Sequence, residues 1–128
     1  MPLSFFAERV SAPPPNTVFG GFAGDVLGGI VRVRVDPGVK MRHRGMIAGV
    51  YVRPALRGTG LALRLMEASI AQARLDGLDS LRLEVSAGND NARALYASIG
   101  FQTYGIDRRA VRVGDVYVDE EMMTLSLI

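Results

Sequence analysis

Residues 46–76 constrain this chain more than any other stretch, because they read as a strand, a glycine turn and a long amphipathic helix in immediate succession. Met46-Ile47-Ala48-Gly49-Val50-Tyr51-Val52 is short, apolar and partly β-branched, the composition of a buried strand. Arg53-Pro54 stops it, since proline offers no ladder donor and pushes its predecessor toward extended geometry. Leu56-Arg57-Gly58-Thr59-Gly60-Leu61-Ala62 then opens a helix expected to continue to about Leu75. On it Ala62, Leu63, Met66, Ile70 and Ala73 share one face, with Arg64, Glu67 and Arg74 opposite. This arrangement presents unpaired backbone N–H groups to an anion. The first helical turn has donors without partners, its dipole favours negative charge, and glycine lets phosphate oxygens approach with no Cβ in the way.

Which phosphate site this is follows partly by elimination. A dinucleotide fingerprint needs a third glycine three residues beyond Gly60, where Leu63 stands. A P-loop needs a Gly-Lys-Ser/Thr ending, and the turn has no lysine. An Arg-x-x-Gly-x-Ala pattern remains, from Arg57 to Ala62. By itself this hexapeptide also fits a glycine turn that merely starts a helix.

At 128 residues the chain is expected to be a single domain, 1–128, with apolar residues spread along it. No apolar run reaches bilayer-spanning length, and the first residues lack a basic region followed by an apolar stretch. Neither a membrane segment nor a signal peptide is therefore expected. The absence of cysteine excludes disulfides, thiolate metal sites and a cysteine nucleophile, and suits a cytoplasmic protein. Net charge is only +2, yet 14 arginines stand against one lysine, Lys40. Arginine grips phosphate in a planar fork. Because the arginines are dispersed, with no aromatic-interleaved basic strand or helix-turn-helix signature, a phosphate-bearing small molecule is expected rather than nucleic acid.

The remaining elements follow in order. Residues 1–16 hold Leu3, Phe5 and Phe6 and then Pro13-Pro14-Pro15; the prolines argue against a helix or paired strand, so a surface-docked lead-in is expected. Strands are expected over 17–22 and 26–35, with Val31, Val33 and Val35 alternating against Arg32 and Arg34. Asp36-Pro37-Gly38 closes the second, and 40–44 form a basic loop. After Gly77, a strand is expected over 80–86, a helix over 91–99, and strands over 101–106, 111–113, 117–119 and 122–127. The fold class is α/β (α+β): a mixed, mostly antiparallel central sheet with helices packed on it.

A second constellation carries Leu83-Glu84-Val85, Asn89, Ala92, Leu95-Tyr96 and Gly100-Phe101. With the Arg57–Ala62 turn in register ahead of it, this resembles the GNAT N-acetyltransferase superfamily over residues 46–101. The turn matches that family's pyrophosphate loop, Gln/Arg-x-x-Gly-x-Gly/Ala. The resemblance implies a V-shaped opening between the 46–52 and 80–86 strands, where acetyl-CoA inserts and its pantetheine arm pairs with Val50, Tyr51 and Val52. It places pyrophosphate on the N–H groups of Arg57, Gly58, Thr59, Gly60, Leu61 and Ala62, and Asn89 along the arm. The acceptor implied is an amine, on a small molecule or a protein.

The chemistry of the residues agrees. Acetyl transfer to an amine needs a free lone pair, donors for a developing oxyanion and a proton for the departing thiolate. Tyr96 stands at the family's tyrosine position and is the candidate acid; the alternative is a core tyrosine. Glu84 is the candidate base. It shares its strand face with Arg82 while Leu81, Leu83 and Val85 face the other way, so the charged face either lines a cleft or lies uncovered. Bacterial ribosomal-protein N-terminal acetyltransferases carry a glutamate in a Leu-Glu-Val motif twelve residues before the tyrosine, the interval between Glu84 and Tyr96. The alternative is a structural Arg82–Glu84 pair. His43 reads as a solvated loop histidine, and Asp119-Glu120 either draw a cationic amine or guard an edge strand. No spacing suggests a metal.

One part of the family pattern is broken. Members usually carry one more strand and two helices before the position of the Thr17 hairpin, and those helices wall the acceptor side. A trimmed wall, a wall borrowed in a homodimer, or a late start are the expectations this leaves. The rival reading is a non-catalytic acyl-CoA-binding sensor or regulatory module.

Overall fold

A computed structural model describes the backbone of residues 5–11 and 16–128 and the side chains from residue 17 onward. The element order is β1 (Phe5–Ser11), β2 (Asn16–Ala23), β3 (Val26–Val35), β4 (Arg44–Val52), α1 (Leu61–Leu75), β5 (Ser80–Ser86), α2 (Asp90–Ser98), β6 (Gln102–Val113) and β7 (Val116–Ser126). One seven-stranded sheet runs in the order β1-β2-β3-β4-β5-β7-β6. Every neighbouring pair is antiparallel except β4 with β5, which the α1 crossover makes parallel. The mixed, mostly antiparallel sheet read from the sequence is the observed one.

One contiguous core lies on a single side of this sheet. Val31 and Val33 of β3, Ile47 of β4, Leu81, Leu83 and Val85 of β5 and Met123 of β7 meet Leu61, Leu65, Met66, Ile70 and Ala73 of α1 and Tyr96 of α2. Strand alternation then turns Arg32, Arg34, Met46, Arg82, Glu84, Glu120 and Met122 to the opposite side. No helix among the described residues covers that face. Close packing of α1 depends on Gly21 of β2, where a Cβ would stand 2.9 Å from Leu61 Cδ1.

Three expectations change. Phe5–Ser11 is a strand, paired antiparallel to β2 from Phe5↔Ala23 to Ser11↔Val18, and not an unpaired lead-in. Pro13, Pro14 and Pro15, like Leu3, lie outside the described residues, and Phe5 and Phe6 offer backbone donors to the ladder. The pieces expected over 101–127 are two long strands of one hairpin, interrupted by register shifts at Thr103/Gly105 and Asp107/Val111 rather than by turns. The stripe that α1 buries is Leu61, Leu65, Met66, Ser69, Ile70 and Ala73, while Leu63 is exposed. Starting the helix at Leu61 sets that phase, and Ser69 is accommodated by giving its hydroxyl proton to the Leu65 carbonyl at 2.9 Å.

Candidate active site

The opening in the sheet begins where β4 and β5 stop pairing. Their ladder is Arg44↔Ser80, Gly45↔Leu81 and Met46↔Arg82, although β4 continues to Val52 and β5 to Ser86. Immediately past that point β4 carries a bulge. Val33 faces Ile47 but Arg32 faces Gly49, leaving Ala48 as the extra residue. The bulge shifts the strand's phase, so Val50 and Val52 pack against the core while Tyr51 is 53% exposed. β3 pairs one edge of this segment, through Val31↔Val50, Ile30↔Tyr51 and Gly29↔Val52. Among the described residues the other edge has no strand partner, so its backbone groups, apart from the Val52 carbonyl that accepts from Arg57 Nε, are available to an extended ligand arm.

Below the opening, Asp36 fixes the apex. This carboxylate is 5% exposed and accepts both hydrogen bonds from Arg82 Nη2, at 2.7 and 2.8 Å, with Arg44 Nε at 3.6 Å. The bond to Asp36 raises the Arg82 pKa and keeps the guanidinium charged. Arg82 is thereby turned away from Glu84, so the structural pair considered for these two neighbours is not the one formed.

The turn after β4 folds as a 3₁₀ turn over Pro54–Leu56 followed by glycines at positive φ, 77° at Gly58 and 91° at Gly60. Nothing stands within 4 Å of a Cβ built at either. Gly60 caps α1 without any side-chain bond, and the first turn contains no acid, so its N–H groups face outward unneutralised. Arg57 donates from Nε to the Val52 carbonyl at 3.1 Å and lies 5.9 Å over the Tyr51 ring; Thr59 donates its hydroxyl to the Leu56 carbonyl. Arg57, Gly58, Thr59, Gly60, Leu61 and Ala62 thus surround one anion-favouring helix start at the top of β4. A pyrophosphate fits its chemistry.

Two cavities adjoin the opening. The smaller, about 140 Å³, is lined by β4 from Met46 to Val50 together with Leu83, Glu84, Tyr96 and Glu120. Tyr96 is buried, its ring set edge-on to Phe101 at 6.2 Å and 62°. Burial pushes its phenol pKa up, so it holds its proton through the neutral range. The larger, about 390 Å³, lies between the β5–α2 turn and the β6–β7 hairpin and includes Asn89, Arg93, Arg108, Asp119, Glu120 and Glu121. Asn89 is the N-cap of α2, yet its side chain makes no capping bond. It borders this second cavity and not the one holding Tyr96. Tyr96, Glu84 and Val50 are therefore brought together as read from the sequence, with Asn89 next door. His43 sits in an exposed turn and lines neither cavity.

The acidic run on β7 is what sequence reasoning left unresolved. Asp119 accepts from the Arg109 backbone N–H at 2.8 Å and from Arg108 at 3.1 Å, which hold its pKa below the usual carboxylate range. Glu121 is held down by the Thr103 hydroxyl at 2.6 Å and by Arg93 at 2.8 Å. Glu120, between them, points to the other face. Burial pushes its pKa up, and the hydrogen bond and charge of Glu84 and the charge of Asp107 act in the same direction. Strand alternation within Asp119-Glu120-Glu121 is the signal that separates them. Among the described residues no group of three or more His, Asp or Glu side chains could hold a metal ion, and no helix is long and apolar enough to cross a membrane.

The model of the acetyltransferase (GNAT) family matches residues 2–101. The chain is 36% identical over 109 residues to N-alpha-acetyltransferase RimI of Mycobacterium tuberculosis, covering 83% of this chain and 65% of that protein. It is 38% identical over 125 residues to an L-methionine sulfoximine/L-methionine sulfone acetyltransferase of Pseudomonas aeruginosa, covering 97% and 72%. The chain thus spans just under two thirds of the mycobacterial relative's length. Among solved structures, the ribosomal-protein-S18-alanine N-acetyltransferase of Escherichia coli superposes with a TM-score of 0.80 at 25% identity, over 91% of this chain and 72% of that one. The structure of yncA from Salmonella typhimurium with its cofactor acetyl-CoA has the same fold, with a TM-score of 0.82 at 23% identity over 88% and 65%.

Proposed function

The chain belongs to the GNAT acetyltransferase family, and from that premise we propose that it is an N-acetyltransferase that moves the acetyl group of acetyl-CoA directly to a primary amine. The observation that carries this reading is the parting of β4 from β5 after Met46↔Arg82, with Tyr96 and Glu84 beside the gap. Backbone groups of Val50 and Val52 hold the ligand arm along the free edge of β4, with Tyr51, whose backbone faces Ile30 of β3, between them, and the Val50 and Val52 N–H groups polarise the thioester carbonyl. The turn from Arg57 to Ala62 takes the pyrophosphate, and Asn89 contacts the arm where it passes α2. Glu84, through water, removes the ammonium proton so that the nitrogen lone pair can attack. Tyr96, a phenol whose pKa burial pushes up from an ordinary value already above neutrality, gives its proton to the departing thiolate.

The acceptors named for the relatives, a ribosomal-protein alanine and methionine sulfone, are the first amines to try. Only residues 12–15 separate β1 from β2, and among the described residues no helix covers the sheet face bearing Glu84. A homodimer in the cytoplasm would cover it, and sedimentation velocity would read out that state.

The primary test is a thermal melt with acetyl-CoA against ATP. Ligand at about a hundred times its Kd should stabilise the fold by about 2.7 kcal/mol, roughly 10 °C for a chain of this length. Release of free CoA with an amine panel then reports turnover. No shift with acetyl-CoA overturns the reading; a shift without turnover across the panel favours the acyl-CoA sensor.

A further inference from the structure

We propose that Glu120 is a second catalytic carboxyl of this site, working with Glu84 as one proton-sharing pair that accepts the proton of the incoming ammonium. The inference rests on the acetyltransferase reading and deepens it. Glu84 of β5 stands opposite Met122 and Glu120 opposite Ser86, which makes the two glutamates diagonal neighbours on the same face of adjacent strands. Burial first, and then the hydrogen-bonding capacity and charge of Glu84, push the Glu120 pKa up. Both line the cavity that holds Tyr96 and the bulged segment of β4, and Glu120 lines the larger cavity as well. It therefore stands where the two spaces meet, beside the gap where the thioester is expected.

The charges around it are arranged to make it basic. Asp107 of β6 pairs in register with Glu120, Glu84 faces it from β5, and Tyr96 faces the same cavity from α2; the β4 wall from Met46 to Val50 brings no charged side chain. The nearest cation on β5, Arg82, is held by Asp36. On β7 itself, Asp119 and Glu121 are turned to the other face and bonded to Arg108 and Arg93. Half-burial and the neighbouring negative charges make the Glu120 carboxylate a stronger base than a solvated one. Before the step the two carboxylates present their negative charge to the incoming ammonium, and the one proton they take from it is shared between them.

The step balances as follows. One N–H proton of R–NH3⁺ passes to the Glu84–Glu120 pair, and the freed lone pair forms the N–C bond as the C–S bond breaks. The Tyr96 O–H protonates the sulfur. A second proton leaving the nitrogen returns through water to the Tyr96 oxygen, and the pair releases its proton to solvent, so one proton is produced per amide formed.

The test uses the full chain, with glutamate side chains carboxyl-labelled with ¹³C, as wild type, Glu84→Gln, Glu120→Gln and the double variant. In the NMR titration Glu120 should protonate above the ordinary glutamate range in the wild type and move back toward it in Glu84→Gln. A peptide beginning with alanine and L-methionine sulfone serve as acceptors. Each single substitution should lower kcat/KM by about 10²-fold and shift the alkaline-rising limb, with the double variant little worse than either alone. The acetyl-CoA melting shift should stay as in the wild type. A Glu120→Gln enzyme with wild-type kcat/KM and pH limb overturns the inference and leaves the acetyltransferase reading standing. Loss of the acetyl-CoA shift in the wild type overturns that reading instead. If neither acceptor is turned over, the titration decides, and an ordinary Glu120 midpoint removes the pair.

Discussion

At the scale of single residues, the environment decides what each group in the opening can do. Tyr96 is a phenol buried against Phe101, so it is neutral and a competent donor. Tyr96→Phe should lower kcat by about 10²- to 10⁴-fold while preserving the acetyl-CoA melting shift, because it removes a proton and little packing. Gly60 makes a different point. Its φ of 91° disfavours any Cβ, so Gly60→Ala should cost about 1 kcal/mol in a urea melt. The informative comparison is Gly77→Ala at the other end of α1, where φ is 77° and the space is equally open. Both variants should lose similar stability, but only Gly60→Ala should also weaken the acetyl-CoA shift, since only that position faces the outward N–H groups of a helix start. Both positions were legible in the sequence, as a Leu-Tyr pair and as a glycine turn opening a helix.

At the scale of elements, the opening depends on what ends the β4–β5 ladder and what holds its lower end. The bulge at Ala48 lies just past the last β4–β5 pair, and the Asp36–Arg82 pair ties the β3–β4 turn to β5 just below. Asp36→Asn leaves Arg82 partly buried with a neutral partner and should destabilise the fold by about 3 kcal/mol in a denaturant melt. The double replacement Asp36→Leu with Arg82→Met should recover most of that loss, because removing both charges also removes their desolvation penalty. Neither device was readable beforehand. Asp36 looked like a turn residue, and a bulge depends on a register that only two paired strands define.

At the scale of the whole molecule, the acids of one hairpin have opposite effects on stability with pH. Asp119 and Glu121 have depressed pKa values, so their contributions are present above the ordinary carboxylate range and are lost as pH falls through their folded values. Glu120 has a raised pKa, so its ionisation opposes folding increasingly as pH rises from the ordinary glutamate range through its folded value. Glu121→Gln should therefore lower Tm at pH 7, with the difference vanishing in acid. Glu120→Gln should raise Tm at pH 7, with that difference also vanishing in acid. Thermal melts across pH would show the two curves diverging from a common acid limit.

The sequence by itself determined the sheet class, the helix start that favours an anion and the positions of Tyr96 and Glu84, because periodicity, glycine turns and motif spacing are local properties of the chain. It also misassigned Phe5–Ser11, where nearby prolines outweighed a strand that only pairing with β2 stabilises. Tertiary structure decided the rest. Which way Arg82 turns, which of three consecutive acids faces Glu84, and where β4 leaves β5 all depend on residues far apart in the chain meeting across strands. Those outcomes are set by cross-strand register, burial and the competition of charges for partners, none of which a linear pattern contains.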